Sequence, residues 1–121
     1  MHEDKEIVLM HTIALEKTGE LDAAHAAYQE LLREGLFPAE VYFGLGNIAR
    51  KQENHEEAVA AYSRAIQERP EFPQAYFLLA RSLAALDDTA GACRALHQAA
   101  AQNFKPALRL RDKWCATSGG D

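Results

Sequence analysis

Residues 39 to 72 read AEVYFGLGNIARKQENHEEAVAAYSRAIQERPEF, and this stretch decides the fold. Its apolar side chains recur at intervals of three and four in two segments, which is the spacing of one face of an amphipathic helix. The polar run Gln52-Glu53-Asn54-His55 separates the two segments, and Pro70 and Pro73 follow the second. Proline cannot continue a helix and disfavours helix at the residue before it. The stretch therefore predicts a pair of helices with a defined end.

The same pattern lies on both sides of this stretch at a step of 34 residues. Tyr42-Phe43 recurs as Tyr76-Phe77, and Tyr62 steps back to Tyr28. One helix pair cannot cover its own apolar faces, so repeats of this length stack and cover one another. The expected organisation is a lead-in over 1–4, three units over 5–38, 39–72 and 73–106, a closing helix over 107–116 and a flexible tail over 117–121.

Composition agrees with an all-α fold. Alanine supplies 23 of the 121 residues, whereas Val, Ile and Thr together supply 11. Alanine and unbranched side chains lose little rotamer freedom in a helix, and β-branched ones lose more. Thr18-Gly19 and Asp87-Asp88-Thr89 are typical of turns within a unit, and Gly35 suits a left-handed cap at a helix end.

Charge and hydropathy exclude several classes of function. The chain has 13 basic and 18 acidic side chains and no Lys/Arg cluster, so we expect no nucleic-acid binding. No apolar run approaches the length of a membrane span, and the charged segment 1–6 is unlike a secretory signal. Two cysteines, Cys93 and Cys115, are too few for a disulfide framework. We therefore expect a cytoplasmic protein.

The middle unit resembles a tetratricopeptide repeat. The residues that match the signature of that family are Tyr42, Leu45-Gly46, Ala49, Ala58, Tyr62, Ala65 and Pro70. The third unit is similar, with Phe104 in place of the proline. The first departs from the pattern at Val8, His11-Thr12 and Leu15, as terminal repeats often do. The resemblance implies a right-handed superhelical array of three helix-turn-helix repeats with a C-terminal capping helix.

The resemblance also implies a concave groove, lined by the first helix of each unit, that binds a segment of a partner protein. The groove positions carried over to this chain are Leu9, Ile13, Phe43, Asn47, Arg50, Phe77, Arg81 and Ala84, with Glu6, Glu40 and Gln74 at the rim. The apolar side chains would bury a partner's side chains, because buried aromatic anchors carry much of the energy of such contacts. Asn47 would bond a partner's backbone, and the arginines would bind carboxylates. The predicted function is a non-catalytic adaptor or chaperone-like scaffold.

Several alternatives stay open at this point. Phe43 and Phe77 could simply pack against the following helix or the capping helix, with Trp114 lying on them. The chain could instead be a structural element that forms dimers or larger oligomers through its first helix or the Trp114 helix. Chaperone-binding members of the family hold a C-terminal carboxylate with a polar clamp, but of the corresponding residues only Gln74 can donate. The other corresponding residues are Leu9, Ile13, Gly44 and Leu78. Three repeats with an apolar groove also resemble the type III secretion translocator chaperones, which usually carry longer N-terminal helices.

The residues give little support to catalysis, and we expect no cofactor or metal site. The five histidines are scattered, and none stands in a pair with the helical spacing of a metal site. Cys93 and His97 stand one helical turn apart, so a nucleophile and a base on one helix are the remaining enzymatic hypothesis. No phosphate-binding glycine loop or nucleophile elbow occurs.

Overall fold

The computed structural model describes residues 4–115, and all the regular secondary structure in that range is helical. The helices are α1 Lys5–Lys17, α2 Leu21–Arg33, α3 Pro38–Lys51, α4 His55–Glu68, α5 Pro73–Ala85, α6 Thr89–Ala101 and α7 Lys105–Cys115. The all-α prediction is confirmed. The closing helix begins at Lys105, slightly before the predicted start at 107. The exact unit boundaries stay a prediction, and the predicted tail over 117–121 lies outside the described residues.

The internal turn of each unit has the same backbone geometry. One residue enters the left-handed region, with φ of 89° at Gly19, 60° at Glu53 and 65° at Asp87. The amide that follows donates to a carbonyl five residues earlier at 2.8–2.9 Å, in the pairs Glu20–Leu15, Asn54–Ala49 and Asp88–Leu83. Such bonds satisfy carbonyls that a helix end would otherwise leave without partners. The 34-residue repeat of the sequence is therefore accompanied by a repeat of the backbone conformation at these turns.

Two glycines on α3 make room for two tyrosines. A Cβ atom at Gly44 would overlap the Tyr28 ring, and one at Gly46 would lie 2.7 Å from the Tyr62 ring. Both tyrosine side chains are fully buried. The third unit has Ala80 and Leu96 at the positions of Gly46 and Tyr62, and both are also fully buried. A smaller side chain on one helix thus accompanies a larger one on its neighbour, which keeps the interior close-packed.

The closing helix packs on the third unit. Leu110 and Trp114 join an apolar cluster that includes Phe77 and Phe104. A disulfide between Cys93 on α6 and Cys115 at the end of α7 fastens the helix, with the two Cα atoms 5.9 Å apart. The sequence had indicated only that two cysteines are too few for a framework. Among the described helices, none has the length and apolar character needed to cross a membrane.

Candidate functional site

The predicted groove residues fall into several environments on the surface formed by α1, α3 and α5, which we call the concave face. Leu9 and Asn47 are buried, with 8% and 7% of their surface exposed. Ile13, Phe43, Arg50 and Phe77 are half-buried, and Arg81 is exposed. The apolar groove positions therefore do not form one continuous exposed stripe.

A cavity of about 100 Å³ opens where the first two units meet, and we call it the groove cavity. Its lining residues are Ile13, Glu16, Lys17, Tyr28, Glu40, Phe43, Asn47 and Phe72. It brings together three of the predicted groove residues, Ile13, Phe43 and Asn47, and the predicted rim residue Glu40. Leu9, Arg50, Phe77 and Arg81 do not line it.

A buried carboxylate forms part of the cavity wall. Glu16 is 3% exposed and accepts a hydrogen bond from the Tyr28 hydroxyl at 2.9 Å. Lys51 Nζ lies 3.1 Å from the same carboxylate and 3.1 Å from the Glu16 carbonyl oxygen. Burial, reinforced by the negative charge of Glu16, raises the pKa of Tyr28. The ammonium group of the second unit thus neutralises the buried charge of the first.

Sequence reasoning missed this pair. Glu16 and Lys51 each stand near the end of the first helix of a unit, where a charged residue is ordinarily solvated. Their separation of 35 residues, one more than the repeat, is the signal that would have placed them on adjacent turns of neighbouring helices.

A second polar cluster occupies the equivalent place in the middle unit. The Tyr62 hydroxyl donates to Asn47 Oδ1 at 2.5 Å, and Arg50 Nε donates to the Tyr62 oxygen at 3.1 Å. Burial raises the pKa of Tyr62, although the Arg50 cation acts in the opposite direction. Asn47 and Arg50 were predicted to contact a partner. In this structure these atoms contact Tyr62, and a partner contact by either residue stays a prediction.

The aromatic groove residues pack within the array. The Phe43 ring centroid lies 4.8 Å from that of Phe72 and 5.7 Å from that of Tyr62. The Phe77 centroid lies 5.5 Å from that of Phe104, and the Arg81 guanidinium stands 5.9 Å from the Phe77 ring centroid. Phe43 thus contacts Tyr62 of the following helix, and Phe77 contacts Phe104, the residue before the capping helix. A partner contact by either ring stays a prediction. Phe43 still presents part of its surface to the groove cavity.

The mouth of the groove cavity carries both signs of charge. Glu40 forms an ion pair with Arg69, whose guanidinium also lies 4.9 Å from the centre of the Phe72 ring. Lys17, which also lines the cavity, is exposed. The cavity is therefore lined by apolar side chains together with the charged Glu16, Lys17 and Glu40.

The nucleophile proposed for an enzyme is engaged elsewhere. The Cys93 sulfur is bonded to that of Cys115, and His97 is exposed on the same helix. Across residues 4–115, no group of three or more His, Cys, Asp or Glu side chains is placed to hold a metal ion.

The comparisons with known proteins agree with this architecture. Two sequence models described as tetratricopeptide repeat match residues 9–71 and 49–111. The chain belongs to the tetratricopeptide repeat family. A curated relative, the probable biofilm formation methyltransferase WspC of Pseudomonas putida, is 31% identical over 99 residues, which are 82% of this chain. The chain spans only 23% of the length of that relative.

Solved structures with a similar fold come from several systems. PcrH of Pseudomonas aeruginosa, in complex with the chaperone binding region of PopD, superposes with a TM-score of 0.86 at 21% identity, over 98% of this chain and 96% of that one. The type III secretion translocator chaperone SycD of Yersinia enterocolitica gives 0.77 at 19% identity, over 92% and 78%. MamA gives 0.82 at 19% identity, over 94% and 68%. At these identities the likeness establishes the fold alone.

Proposed function

We propose that this chain is a non-catalytic scaffold whose concave face holds a segment of a partner protein. The groove cavity is the observation that supports this most directly. Three predicted groove residues line it together, and apolar side chains form much of its surface. Its volume of about 100 Å³ is below that of sites for cofactors and drug-sized ligands, which measure roughly 300–1,000 Å³. A single aliphatic or small aromatic side chain of a peptide is the occupant that suits this size.

The charges at the mouth add a second element of recognition. Lys17 and the Glu40–Arg69 pair stand beside the apolar side chains of the cavity and are able to contact a peptide's charged groups or its backbone. Glu16 contributes little free charge, since Lys51 and Tyr28 already satisfy it. We infer an extended or helical segment that inserts one apolar side chain and keeps polar groups at the edge.

The similar structures support a peptide as the partner. PcrH forms a complex with the chaperone binding region of PopD, and SycD forms one with a peptide of the translocator YopD. The match to the curated relative covers less than a quarter of that protein, so its methyltransferase name carries no argument about this chain. Cytoplasmic location remains part of the proposal.

Two isoleucines on α1 provide a matched test. Ile13 lines the groove cavity, whereas Ile7 is 61% exposed and does not line it. A lysate of the source organism would be passed over immobilised wild type, Ile13→Arg and Ile7→Arg, after circular dichroism shows equal helicity. We expect wild type and Ile7→Arg to retain a protein that Ile13→Arg does not retain. Synthetic peptides from that protein should also bind wild type and Ile7→Arg but not Ile13→Arg. Equal retention by both variants would contradict a groove site.

Self-association is the second candidate function, and the outer face of α1 supports it. Ile7 and Met10 are 61% and 65% exposed. The residues one repeat later, Val41 and Gly44, are buried against the preceding unit. The first unit therefore exposes the apolar face that the second unit uses for stacking. Light scattering across the micromolar range of protein concentration should show an increase in mass. Ile7→Arg should abolish this increase and Ile13→Arg should leave it unchanged. A constant mass of 13.4 kDa in wild type would contradict self-association.

A further inference from the structure

We propose that the Cys93–Cys115 pair is a thiol–disulfide exchange site that latches α7 onto the third unit. Neither the family nor the proposed peptide binding requires such a bond. The inference stands apart from the proposed function, because its tests need no peptide.

The position of the bond makes it a latch. Cys115 is the last residue of α7, and Cys93 lies near the start of α6, with the Cα atoms 5.9 Å apart. The opposite end of α7 follows directly from the α6 turn, where the Phe104 carbonyl accepts bonds from Ala107 and Leu108 at 3.0 and 3.3 Å. Chain connectivity therefore holds one end of the helix, and the disulfide holds the other.

Packing alone attaches α7 weakly. Ala107 is the one fully buried residue among the 11 of α7, whereas α6 buries six of its 13, namely Gly91, Ala92, Ala95, Leu96, Ala99 and Ala100. A helix of this length is marginal in water without tertiary contacts. Removing the covalent bond should therefore free α7 well before the rest of the array unfolds.

Opening the latch would change what the third unit exposes. Leu110 and Trp114 pack in the cluster that contains Phe77 and Ala84. Phe77 and Ala84 occupy predicted groove positions of α5, so the latched α7 packs in the same cluster as two of these positions. Release of α7 uncovers apolar surface of a kind that binds partner segments.

The surroundings suit exchange. Both cysteines are half-buried rather than enclosed, so a thiol reagent has access to the bond. Exchange depends on this access, since a thiolate must reach one of the two sulfurs.

The reaction is a two-electron exchange with a thiol reductant. The thiolate of one glutathione attacks a sulfur of the pair, the S–S bond breaks, and a mixed disulfide forms while the other cysteine leaves as thiolate. A second glutathione thiolate resolves the mixed disulfide. Two cysteine thiols and one oxidised glutathione result, and the reductant supplies both electrons and both protons.

The test uses the full chain and its single tryptophan, Trp114, which adjoins Cys115. Protein purified without reductant would be compared with the same protein after millimolar reduced glutathione, by Trp114 emission and by tryptic cleavage after Arg109 and Arg111. We expect reduction within minutes, a change in emission, and cleavage about tenfold faster or more, because the bond no longer opposes local unfolding. Helicity of the rest of the array should persist.

The matched variant is Cys93→Ser/Cys115→Ser. It should show the cleavage rate of the reduced wild type whether or not glutathione is present, which excludes a direct effect of the reductant on trypsin. Three results would each overturn the proposal. One is two alkylatable thiols in protein purified in air, another is an equal cleavage rate in both redox states, and the third is a bond that resists glutathione for hours.

Discussion

The junction between the first two units and the junction between the third unit and α7 are held by different chemistry. At the first junction, Lys51 of the second unit pairs with the buried Glu16 of the first. Within each of these two units a tyrosine, Tyr28 or Tyr62, buries a hydroxyl that is hydrogen-bonded to a polar side chain of the preceding helix. One repeat later the equivalent residue is Leu96, which has no hydroxyl and packs in an apolar cluster. That end of the array is fastened by the Cys93–Cys115 disulfide.

The difference shows that the repeat constrains shape more than chemistry. One position of the repeat is occupied in successive units by Glu16, Arg50 and Ala84. These residues supply a buried negative charge, a half-buried cation and a methyl group, respectively. The groove cavity lies at the polar junction. A buried polar network demands full pairing of its members, whereas an aliphatic junction tolerates exchanges between apolar side chains that conserve their volume.

The largest expected effect comes from removing the cation at the polar junction. Lys51→Met leaves the Glu16 carboxylate buried with only the Tyr28 hydroxyl as its side-chain partner. We expect a loss of about 3 kcal/mol in the free energy of unfolding, since an uncompensated buried charge is costly. Urea denaturation of Lys51→Met beside Lys17→Met, an exposed lysine of the same face, measures it. If both substitutions lowered the free energy of unfolding by the same small amount, the buried Glu16 carboxylate would not need Lys51 as its counter-ion.

The next largest effect is expected when residues of the middle unit are replaced by those of the third. Gly46→Ala places a methyl group about 2.7 Å from the Tyr62 ring and should cost about 2 kcal/mol through overpacking. The double variant Gly46→Ala/Tyr62→Leu reproduces the residues of the third unit, Ala80 and Leu96. We expect its cost to be less than the sum of the two single costs. A double-mutant cycle by thermal or urea unfolding measures the coupling, and strict additivity would refute the complementarity.

The smallest effect concerns the Tyr28 hydroxyl and depends on pH. Tyr28→Phe removes one hydrogen bond to Glu16 and should cost about 1 kcal/mol at neutral pH. Because the folded pKa of Tyr28 is raised, its contribution is complete below the ordinary value near 10 and is lost as pH rises beyond that value. Wild type should therefore lose stability above pH 10 more steeply than Tyr28→Phe. Urea midpoints between pH 8 and pH 11 measure this, and parallel curves would contradict it.

The architecture was predictable because the repeat imposes one set of local requirements at every step. The 34-residue period, the prolines and the turn residues predicted the helices and their stacking. Glu53 and Asp87 adopt the same left-handed conformation as Gly19, which glycine adopts freely, aspartate more often than most residues and glutamate rarely. The polar run 52–55 and the segment Asp87-Asp88-Thr89 predicted the two turns, but not which residue would be left-handed.

The candidate site was predicted less completely. The family pattern placed Ile13, Phe43 and Asn47 on one surface, and the groove cavity brings them together. It did not reveal that Asn47 Oδ1 accepts a bond from Tyr62, or that Phe43 stacks on Phe72. These contacts depend on the distance between helices of neighbouring units, which side-chain volume and crossing angle determine together.

The sequence by itself determined the helices, their turns and their order, because propensity, capping and apolar periodicity act over a few residues and recur at each repeat. The tertiary structure alone decided that Lys51 neutralises Glu16 and that Cys93 meets Cys115. Pairing between residues far apart along the chain depends on how two helices meet in space. A sequence records such a pair as two separate side chains, and only packing brings their atoms within bonding distance.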